Sequence, residues 1–494
     1  MIVQKFGGTS VADAKCLASV ADIITGQRSL KESIIVVSAM SGVTDQLIAG
    51  ARFAAEGNTE AYQQVQSSLV CRHRDVVEAL LGGTEEQAKL NDLIEERLGA
   101  LERFYNSISV LGELTTRAND AVMCFGEQLS ANVLASVLRQ HGDQAEAISA
   151  TELIVTDDGF GAATPFLGQT QQRLEQRVRP LIENGVIPVI TGYIAATEQG
   201  IPTTLGRNGS DYTAAIVAAG LDADEVWIWT DVDGILTADP NIVPQARTLR
   251  ELSYAEATNL ARFGAEVLHP RTIRPVIANS IPLRILNSFN PTDPGTLVVK
   301  TPSPNRELLP TIVSATGLSL ITVGSQHETW KLQMATRALQ RLSEAGVNVL
   351  MFSQSYSEQS LNLVVREQDQ AHCLRVLSRE FADRSSWMSQ EAPVPASPSG
   401  GQTSQRMNNG CSLGTKEKVA TVSVIGVPGW NKIGIASHAF AALGKHGVRV
   451  IAVAQAATED SVSFCIPADE VADTVRLLHH DLGLESYPPR QRQT

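Results

Sequence analysis

The sequence has few cysteines and no long apolar run, and each shortage excludes a class of protein. Its six cysteines lie far apart with no C-x-x-C pair, which argues against a disulfide framework and against a thiolate metal site. No stretch approaches the roughly 20 consecutive apolar residues of a membrane helix, and no export signal is visible at the start. We therefore expect a soluble protein of the reducing cytoplasm with no membrane partner.

Basic charge is also in short supply. Lys and Arg number 40 against 53 Asp and Glu, a net charge of -13, and no basic patch is segregated along the chain. Such a surface repels phosphate backbones, so nucleic acid is not an expected partner. The hydrophobic fraction of 43% is typical of a globular protein. A chain of 494 residues is too long for a single ordinary hydrophobic core, so about three domains are expected.

Several nucleotide motifs are missing as well. The sequence contains no G-x-x-x-x-G-K-[ST] loop, no H-R-D and D-F-G pair of a protein kinase, and no G-x-G-x-x-G that opens a helix. A P-loop site and hydride transfer with a dinucleotide are therefore both disfavoured.

Short apolar runs separated by helical stretches are present over roughly the first 300 residues. Continuous apolar strands of this kind indicate a mainly parallel sheet covered on both faces, in an α/β domain predicted to span 1–300. Residues 46–111 are instead rich in helix formers and predict a helical excursion. The predicted strands lie at 34–37, 186–190, 225–229 and 282–286.

The last third contains an internal repeat. At an offset of 101 positions, Gly346 matches Gly447 and Gln354 matches Gln455, and both copies have the order strand, helix, strand, strand, helix. We predict two βαββα modules. A segment rich in Pro, Gly, Ser and Gln separates them and has few apolar residues to offset the entropy of ordering it. The predicted boundaries are 312–382 for the first module, 383–418 for a linker and 419–484 for the second module.

Two segments that follow strands could hold a phosphorylated ligand. Gly7 and Gly8 let backbone amides approach a phosphate, and Lys5 supplies a charge, but on this segment alone a glycine turn beside a solvated lysine is the favoured explanation. Ser38 to Thr44 follows another apolar strand at the edge where α/β sheets bind ligands. Helix capping by Ser41 or Thr44 is the alternative there.

A third segment is more specific. Arg207, Ser210 and Asp211 lie within five residues, where a glycine-rich turn enters an alanine-rich helix. Arginine grips a carboxylate with two bonds, and an aspartate can organise a magnesium ion or a reacting group. A surface Arg–Asp pair leaves the glycines unexplained, so a functional role is favoured. Asp231 and Asp233, in contrast, fit an Asx turn, and His269 fits a packed residue that ends a helix.

The ordered set of motifs resembles the aspartate kinases over nearly the whole chain. The motifs are K-F-G-G-T-S, V-S-A-x-x-G-V-T, F-G-E, G-R-N-G-S-D-Y-T-A-A, W-T-D-V-D-G and F-G-A-E-V-L-H-P-R-T-I. That family also carries two C-terminal ACT modules, which the repeat resembles. The resemblance implies an amino-acid-kinase fold, a three-layer αβα arrangement, and transfer of the ATP γ-phosphoryl group to the side-chain carboxylate of L-aspartate.

The resemblance also implies a role for each matching residue. Phosphoryl transfer needs positioning and charge stabilisation more than covalent chemistry, which fits these residue types. Magnesium is implied as the companion of ATP, with no metal site of its own. By this pattern Lys5 and Asp211 are catalytic, Lys5, Gly7, Gly8, Thr230 and Asp231 bind the nucleotide, and Ser38, Thr44, Glu127, Arg207 and Ser210 bind the substrate.

Three positions depart from the family pattern. Leu236 stands where a tyrosine is common, Asn241 where an arginine is usual, and Glu266 where a lysine is common. All three belong to the nucleotide side by the resemblance, so two positive charges are lost and one negative charge is gained there. Weaker or altered nucleotide binding is expected.

The ACT pair implies feedback control by an amino acid, lysine or threonine, and a homodimer formed through these modules. The alternative is that one or both modules serve only dimerisation. The chain stops at Thr494 with no room for an appended dehydrogenase, so a monofunctional enzyme is expected. The resemblance implies that the effector binds at Gln354, Ser355, Ser357 and Glu358.

Two other readings remain open. One is a different amino-acid kinase or a nucleotide-monophosphate kinase of the same fold, which would share the phosphate loops. The other is a non-catalytic amino-acid sensor, in which the altered nucleotide positions reflect lost catalysis.

Overall fold

The computed structural model divides the chain into two compact units, which are described separately. The first comprises Met1–Ile235, Thr248–Arg262 and Glu266–Glu307, and the second Leu236–Arg247, Phe263–Ala265 and Leu308–Thr494. The residues described are 1–27, 32–263, 268–325, 332–355, 359–382, 403–406, 411–426, 434–455 and 461–485.

The first unit is built from eleven strands and eleven helices within its described residues. The strands are β1 Ile2–Phe6, β2 Ser33–Val37, β3 Ala145–Ile148, β4 Val155–Thr156, β5 Ile187–Thr191, β6 Ile194–Thr197, β7 Pro202–Thr204, β8 Glu225–Thr230, β9 Glu251–Ser253, β10 Leu283–Asn287 and β11 Thr296–Val299. The helices are α1 Ala14–Gln27, α2 Val43–Ala55, α3 Thr59–Leu81, α4 Glu85–Leu111, α5 Thr116–Gln140, α6 Ala150–Leu153, α7 Leu167–Arg177, α8 Arg179–Glu183, α9 Gly209–Gly220, α10 Tyr254–Arg262 and α11 Pro270–Ala278.

Eight of these strands form one sheet in the order β3-β5-β2-β1-β8-β10-β11-β9. Every neighbouring pair is parallel except β10 with β11. The mainly parallel sheet expected from the apolar runs is therefore confirmed, and all four predicted strands are present. The short strands β4, β6 and β7 form a separate three-stranded sheet.

Alternation along the central strands gives the sheet two different faces. Phe6 and Trp229, whose rings stack with 5.7 Å between centroids, face a large apolar core shared with helices α1 to α5. Since side chains alternate along a strand, Lys5 points to the opposite face, where α9 packs on β1. This alternation places a lysine at the end of a buried strand.

Helix α5 is the central helix of that core. Within the described ranges it is the one helix long and apolar enough to cross a membrane, yet 83% of its most apolar window is buried inside the protein. It packs on α1, α2, α4 and the strands β2 and β5. Its apolar character therefore matches burial within the fold.

The predicted helical excursion consists of α2, α3 and α4. At the start of α3, the Asn58 side-chain oxygen accepts from the Ala61 amide, and at the start of α4, the Thr84 hydroxyl accepts from the Gln87 amide. Such caps satisfy amides that lack partners within the helix. The excursion packs on the main core through its apolar face.

The second unit contains the two repeats in the predicted order of elements. Its described strands form an antiparallel sheet in the order β13-β14-β12-β16-β18-β17, with β15 paired to β16. The strands are β12 Thr311–Ser325, β13 Met351–Ser355, β14 Ser360–Arg366, β15 Thr403–Arg406, β16 Cys411–Ile425, β17 Ala452–Gln455 and β18 Ser461–Pro467. The helices are α12 Leu332–Glu344, α13 Glu367–Ala382, α14 Ile435–Lys445 and α15 Val471–Asp481.

The residues matched across the repeat occupy equivalent places. Gly346 and Gly447 both follow the first helix of their copy with positive φ, 72° and 67°, a conformation that favours glycine. Ser360 and Ser461 both begin the third strand. The repeat found in the sequence is therefore a structural repeat.

Two strands fall inside the segment expected to be a linker. β15 covers Thr403–Arg406, and β16 begins at Cys411, so residues 411–418 belong to the sheet. The linker prediction was wrong there because β16 has few apolar residues in this half. Leu413 is nevertheless buried in the core of the first module, and β12 pairs with β16 over its length.

The second unit also includes Leu236–Arg247, which the domain prediction placed with residues 1–300. The Thr237 amide donates to the Arg247 carbonyl, closing the segment into a loop, and the Ile312 amide donates to the Thr237 carbonyl. The Thr237 hydroxyl lies 3.0 Å from Nε2 of His479 on α15. Backbone and side-chain bonds thus join this segment to the repeat region.

Candidate active site

The predicted site residues that follow β1 lie at its carboxyl end. The Gly7 amide donates to the Trp229 carbonyl in β8, and the Ser41 amide donates to the Gly8 carbonyl, so the loops after β1 and β2 meet beside the end of β8. A Cβ added to Gly8 would lie 3.0 Å from the Ala39 carbonyl oxygen. Only a residue without a side chain fits this approach comfortably, which leaves backbone open to a ligand.

Lys5 and Asp211 form an ion pair with 2.6 Å between Nζ and Oδ1. Both side chains are mostly buried, with 12% and 9% of their surface exposed. Asp211 lies in the first turn of α9, where the helix dipole favours a negative charge. The two residues predicted to be catalytic are therefore in direct contact.

The turn before α9 depends on unusual backbone conformations. Gly206 has φ 77° and Asn208 has φ 56°, and asparagine is one of the few other residues that tolerates this region. A Cβ on Gly209 would lie 2.5 Å from the Tyr193 ring. This turn holds the exposed Arg207 between two left-handed residues, at the entrance to α9.

Ser210 packs against the ends of two strands. A Cβ on Gly192, just after β5, would lie 2.6 Å from the Ser210 side chain and 2.9 Å from the carbonyl of Val37 in β2. The Gly192 amide donates to that same Val37 carbonyl. Close packing at this glycine therefore brings α9 next to the loop that follows β2.

The loop after β2 is fixed by α5. The Ser38 amide donates to the Phe6 carbonyl, and the Ser130 hydroxyl donates to the Ser38 carbonyl at 2.7 Å. The residue that precedes α2 is Gly42, with no side-chain capping bond, so capping by Ser41 or Thr44 was a wrong alternative. Thr44 lies in the first turn of α2.

Glu127 is a buried carboxyl group with an unpaired oxygen. Only 3% of the residue is exposed, and its Oε2 has no hydrogen-bond partner among the described residues. Burial raises the pKa of Glu127 to about 8, and hydrogen bonding to the backbone of Ala39 acts in the opposite direction. A cationic group bound here would satisfy the free oxygen and lower this pKa.

The predicted nucleotide residues lie at the end of β8 and are more open. The Thr230 hydroxyl donates to Oδ1 of the exposed Asp231, and the Thr230 carbonyl accepts from the Ser288 amide. Asp233 accepts from the side-chain amides of Asn287 and Asn290. Asp233 is therefore occupied within the loops, whereas Asp231 faces solvent.

His269 begins a helix, so the expectation of a packed residue that ends one was wrong. It is the N-cap of α11, and its Nδ1 accepts from the Arg271 amide at 3.2 Å. Burial, followed by the charges of Arg207 and Arg271, lowers the pKa of His269. The imidazole is thus a neutral capping group near the Arg207 turn.

The remaining predictions concern the departures from the family pattern and the effector site. Leu236 and Asn241 lie in the second unit, and the Asn241 amide donates to Asp239. Gln354 is exposed in β13, which ends at Ser355. Ser357, Glu358 and Glu266 lie outside the described residues.

Sequence reasoning missed three polar residues that shape the site. Ser130 holds the loop after β2, and Tyr193, with φ 65°, packs against Gly209. Asp120, completely buried in α5, accepts three hydrogen bonds from two other segments. The sequence signal that could have identified Asp120 is its spacing from Glu127. The two residues are seven positions apart, about two helical turns, which places them on the same face of one helix.

The site has the groups to hold a phosphorylated nucleotide. The glycine backbone at Gly8 and the Lys5 ammonium suit phosphate oxygens. In the part of the chain that the structure describes, no group of three or more His, Cys, Asp or Glu could hold a metal ion.

Two family matches cover most of the chain. The amino acid kinase family matches residues 1–287, and an ACT domain family matches 329–381 and 422–482. These spans agree with a catalytic region followed by the structural repeat.

Curated relatives and solved structures extend this likeness over nearly the whole chain. A bifunctional aspartokinase/homoserine dehydrogenase 2 of Zea mays is 32% identical over 97% of this chain, which spans about half (50%) of that relative. E. coli aspartokinase III in complex with aspartate and ADP (R-state) is 26% identical, with 98% of this chain and 99% of that one covered and a TM-score of 0.78. The same enzyme with lysine and aspartate (T-state) has 26% identity, the same coverage and a TM-score of 0.73. The resemblance expected from the motifs is thereby confirmed along the chain.

Proposed function

Because this chain belongs to the amino acid kinase family, we propose that it transfers the γ-phosphoryl group of ATP to the side-chain carboxylate of L-aspartate. The product is 4-phospho-L-aspartate, and the reaction opens the biosynthesis of aspartate-derived amino acids. The relatives described above support the choice of acceptor, since the E. coli enzyme was solved with aspartate and ADP.

The buried Glu127 carboxyl group is the observation that carries the choice of an amino acid. A carboxylate without a full set of partners is costly in a buried site, and a substrate ammonium supplies the missing charge and donors. Arg207 would bind the α-carboxylate with its planar donors. Ser38, Thr44 and Ser210 would complete the contacts to the substrate.

Lys5 and Asp211 are positioned for the transfer itself. The Lys5 ammonium would stabilise negative charge on the transferring group, while Asp211 holds the ammonium in place at 2.6 Å. The aspartate carboxylate is ionised at neutral pH, so the attacking oxygen needs no base. Catalysis then depends on bringing two anions together, which a buried lysine favours.

ATP would enter with its own magnesium as the second substrate. Gly7 and Gly8 would offer backbone to the phosphates, and Thr230 and Asp231 would contact the nucleoside. The exposure of Asp231 and the changed residues Leu236, Asn241 and Glu266 support weaker nucleotide binding than in relatives with the common pattern.

Regulation and assembly belong to the same proposal. An amino acid, lysine or threonine, would bind at the first ACT module near Gln354 and Ser355. The choice of lysine as a candidate is supported by the E. coli enzyme, which was solved in complex with lysine and aspartate. A homodimer would form through these modules, which is supported by the exposed Phe352 on the edge strand β13. A cytoplasmic location is supported by five free thiols, those of Cys16, Cys71, Cys124, Cys373 and Cys465.

An acceptor screen tests the proposal. Purified protein with ATP and magnesium should release ADP with L-aspartate and much more slowly with glutamate, N-acetylglutamate or nucleotide monophosphates. Preference for one of the other acceptors would favour the alternative hypothesis of a different amino-acid kinase or a nucleotide-monophosphate kinase of the same fold. Turnover with none of them, together with amino-acid-dependent thermal stabilisation, would favour the sensor.

A further inference from the structure

Asp120 is a buried carboxylate that joins three segments of the first unit. It is fully buried in α5, and its Oδ2 accepts from the amides of Gly161 and Thr204 at 2.8 and 3.0 Å. Its Oδ1 accepts from the Thr204 hydroxyl at 3.0 Å. Both carboxylate oxygens are therefore committed to structure, which leaves Asp120 no direct part in the chemistry.

The partners of Asp120 lead directly to the Arg207 turn. Thr204 is the last residue of β7, three residues before Arg207. The Ala163 amide donates to the Thr204 carbonyl, and a Cβ on Gly206 would lie 3.2 Å from the Ala162 side chain. The turn thus rests on the segment around Gly161, which Asp120 also holds.

Glu127 lies on the same helix, two turns further along and on the same face as Asp120. Both residues belong to one continuous, largely buried helix, so the position of Asp120 fixes that of Glu127. One carboxylate therefore connects the helix that carries the proposed ammonium ligand to the turn that carries the proposed carboxylate ligand.

We propose that Asp120 is a positioning residue that sets the spacing between Glu127 and Arg207, and thereby selects the α-amino and α-carboxylate groups of the acceptor. The inference rests on the proposed function for the identity of the acceptor. A change in this spacing would misplace one end of the amino acid while the phosphate loops after β1 stay in place.

The variants Asp120→Ala and Asp120→Asn separate positioning from a general loss of structure. Alanine removes all three bonds. Asparagine can keep both amide bonds through its oxygen and donate its amide to the Thr204 hydroxyl, so it should rescue most of the function. Thr204→Val removes one of the three bonds to Asp120, together with the contact of the same hydroxyl with Tyr193, and gives a milder variant if Asp120→Ala folds poorly.

Asp157→Ala is the matched control. Asp157 accepts from the amides of Gly159 and Thr164, all within the segment that contains Gly161, and these bonds do not reach α5. Loss of order in that segment alone should therefore appear in this variant.

Kinetics and calorimetry on the full chain decide the inference. Asp120→Ala should raise both the KM and the Kd for L-aspartate by about ten- to hundredfold, because small misplacements of bound groups cost that much. The KM for ATP and the Kd for ADP should stay within about twofold. Asp120→Asn and Asp157→Ala should remain near wild type, with Thr204→Val between.

Other results overturn the inference. Equal losses for aspartate and ATP would mean that Asp120 is merely structural, and unchanged aspartate binding in Asp120→Ala would mean that it sets no spacing. If the wild type phosphorylates aspartate and Asp120→Ala gives either of these results, the proposed function is kept and the positioning role of Asp120 is rejected. If the wild type binds aspartate without phosphorylating it, the function fails while the Kd values still test Asp120. If it does neither, both proposals fall.

Discussion

The proposed acceptor side of the site and the proposed donor side are built very differently. On the acceptor side, Glu127 and Ser210 are buried, and Ser130 holds the neighbouring loop through a 2.7 Å bond. On the donor side, Thr230 is half-buried and Asp231 is exposed at the end of β8. Glu127 belongs to a core helix and Ser210 packs tightly against Gly192, whereas Thr230 and Asp231 lie at the open end of a strand.

This difference suggests where specificity lies. Buried charged groups discriminate strongly between ligands because an unmatched partner leaves them unpaired. Exposed groups are screened by water and contribute less. We therefore expect changes on the acceptor side, and at the Lys5–Asp211 pair between the two sides, to have the larger effects.

The largest effect is expected for Lys5→Ala. Loss of the ammonium should lower kcat by about 10³-fold, since it removes a preorganised charge from the transferring group. Steady-state assays with saturating ATP and aspartate measure this. Lys89→Ala, at an exposed lysine paired with Glu85, is the control and should change kcat little. Wild-type turnover in Lys5→Ala would remove Lys5 from the mechanism.

The next effect concerns Glu127 and pH. Its pKa of about 8 in the free protein means that the ionised form needed for the substrate ammonium is scarce at lower pH. Below pH 8, kcat/KM for aspartate should rise about tenfold per pH unit and then level off. Glu127→Gln should lose this dependence along with about tenfold or more of kcat/KM. A flat wild-type profile would contradict the assignment.

A smaller effect is expected on the donor side. Asp231→Ala should raise the KM for ATP by only about two- to fivefold, because an exposed carboxylate contributes weakly. The KM for aspartate should not change. Initial-rate measurements with each substrate varied in turn separate the two values. A loss as large as that of Glu127→Gln would show that the two sides do not differ as described.

The smallest effect is on stability. Burial raises the pKa of Glu127 above its ordinary value of 4.5, so folding becomes less favourable as pH rises from that value through about 8. Glu127→Gln does not ionise, so its unliganded melting temperature should exceed that of wild type by a few degrees at pH 8. The difference should vanish near pH 4.5. A lower melting temperature at pH 8 would mean that the carboxylate is stabilised by the fold.

The sequence was most informative where burial is continuous. Parallel strands covered on both faces must be apolar along their length, so β2 and β8 could be located from composition alone. Strand β16 was missed in part because its Thr415 to Lys418 stretch is polar and carries no such signal. The Leu236–Arg247 segment was expected within residues 1–300 but groups by its contacts with the second unit, because contacts with distant residues leave no local pattern.

For the site, motifs located the groups that follow strands but not their supports. Lys5 and Asp211 were each assigned to catalysis from their motifs, and the structure shows that they form an ion pair. Asp120 was missed because an aspartate near a helix start usually lies at the surface, and only the three-dimensional contacts reveal its burial.

Formation of aspartyl phosphate is the most direct test of the central claim. The protein, incubated with ATP, magnesium, L-aspartate and hydroxylamine, should yield aspartyl hydroxamate, and omission of ATP or use of Lys5→Ala should abolish it. Failure to form hydroxamate by a folded protein that binds ATP would contradict the account.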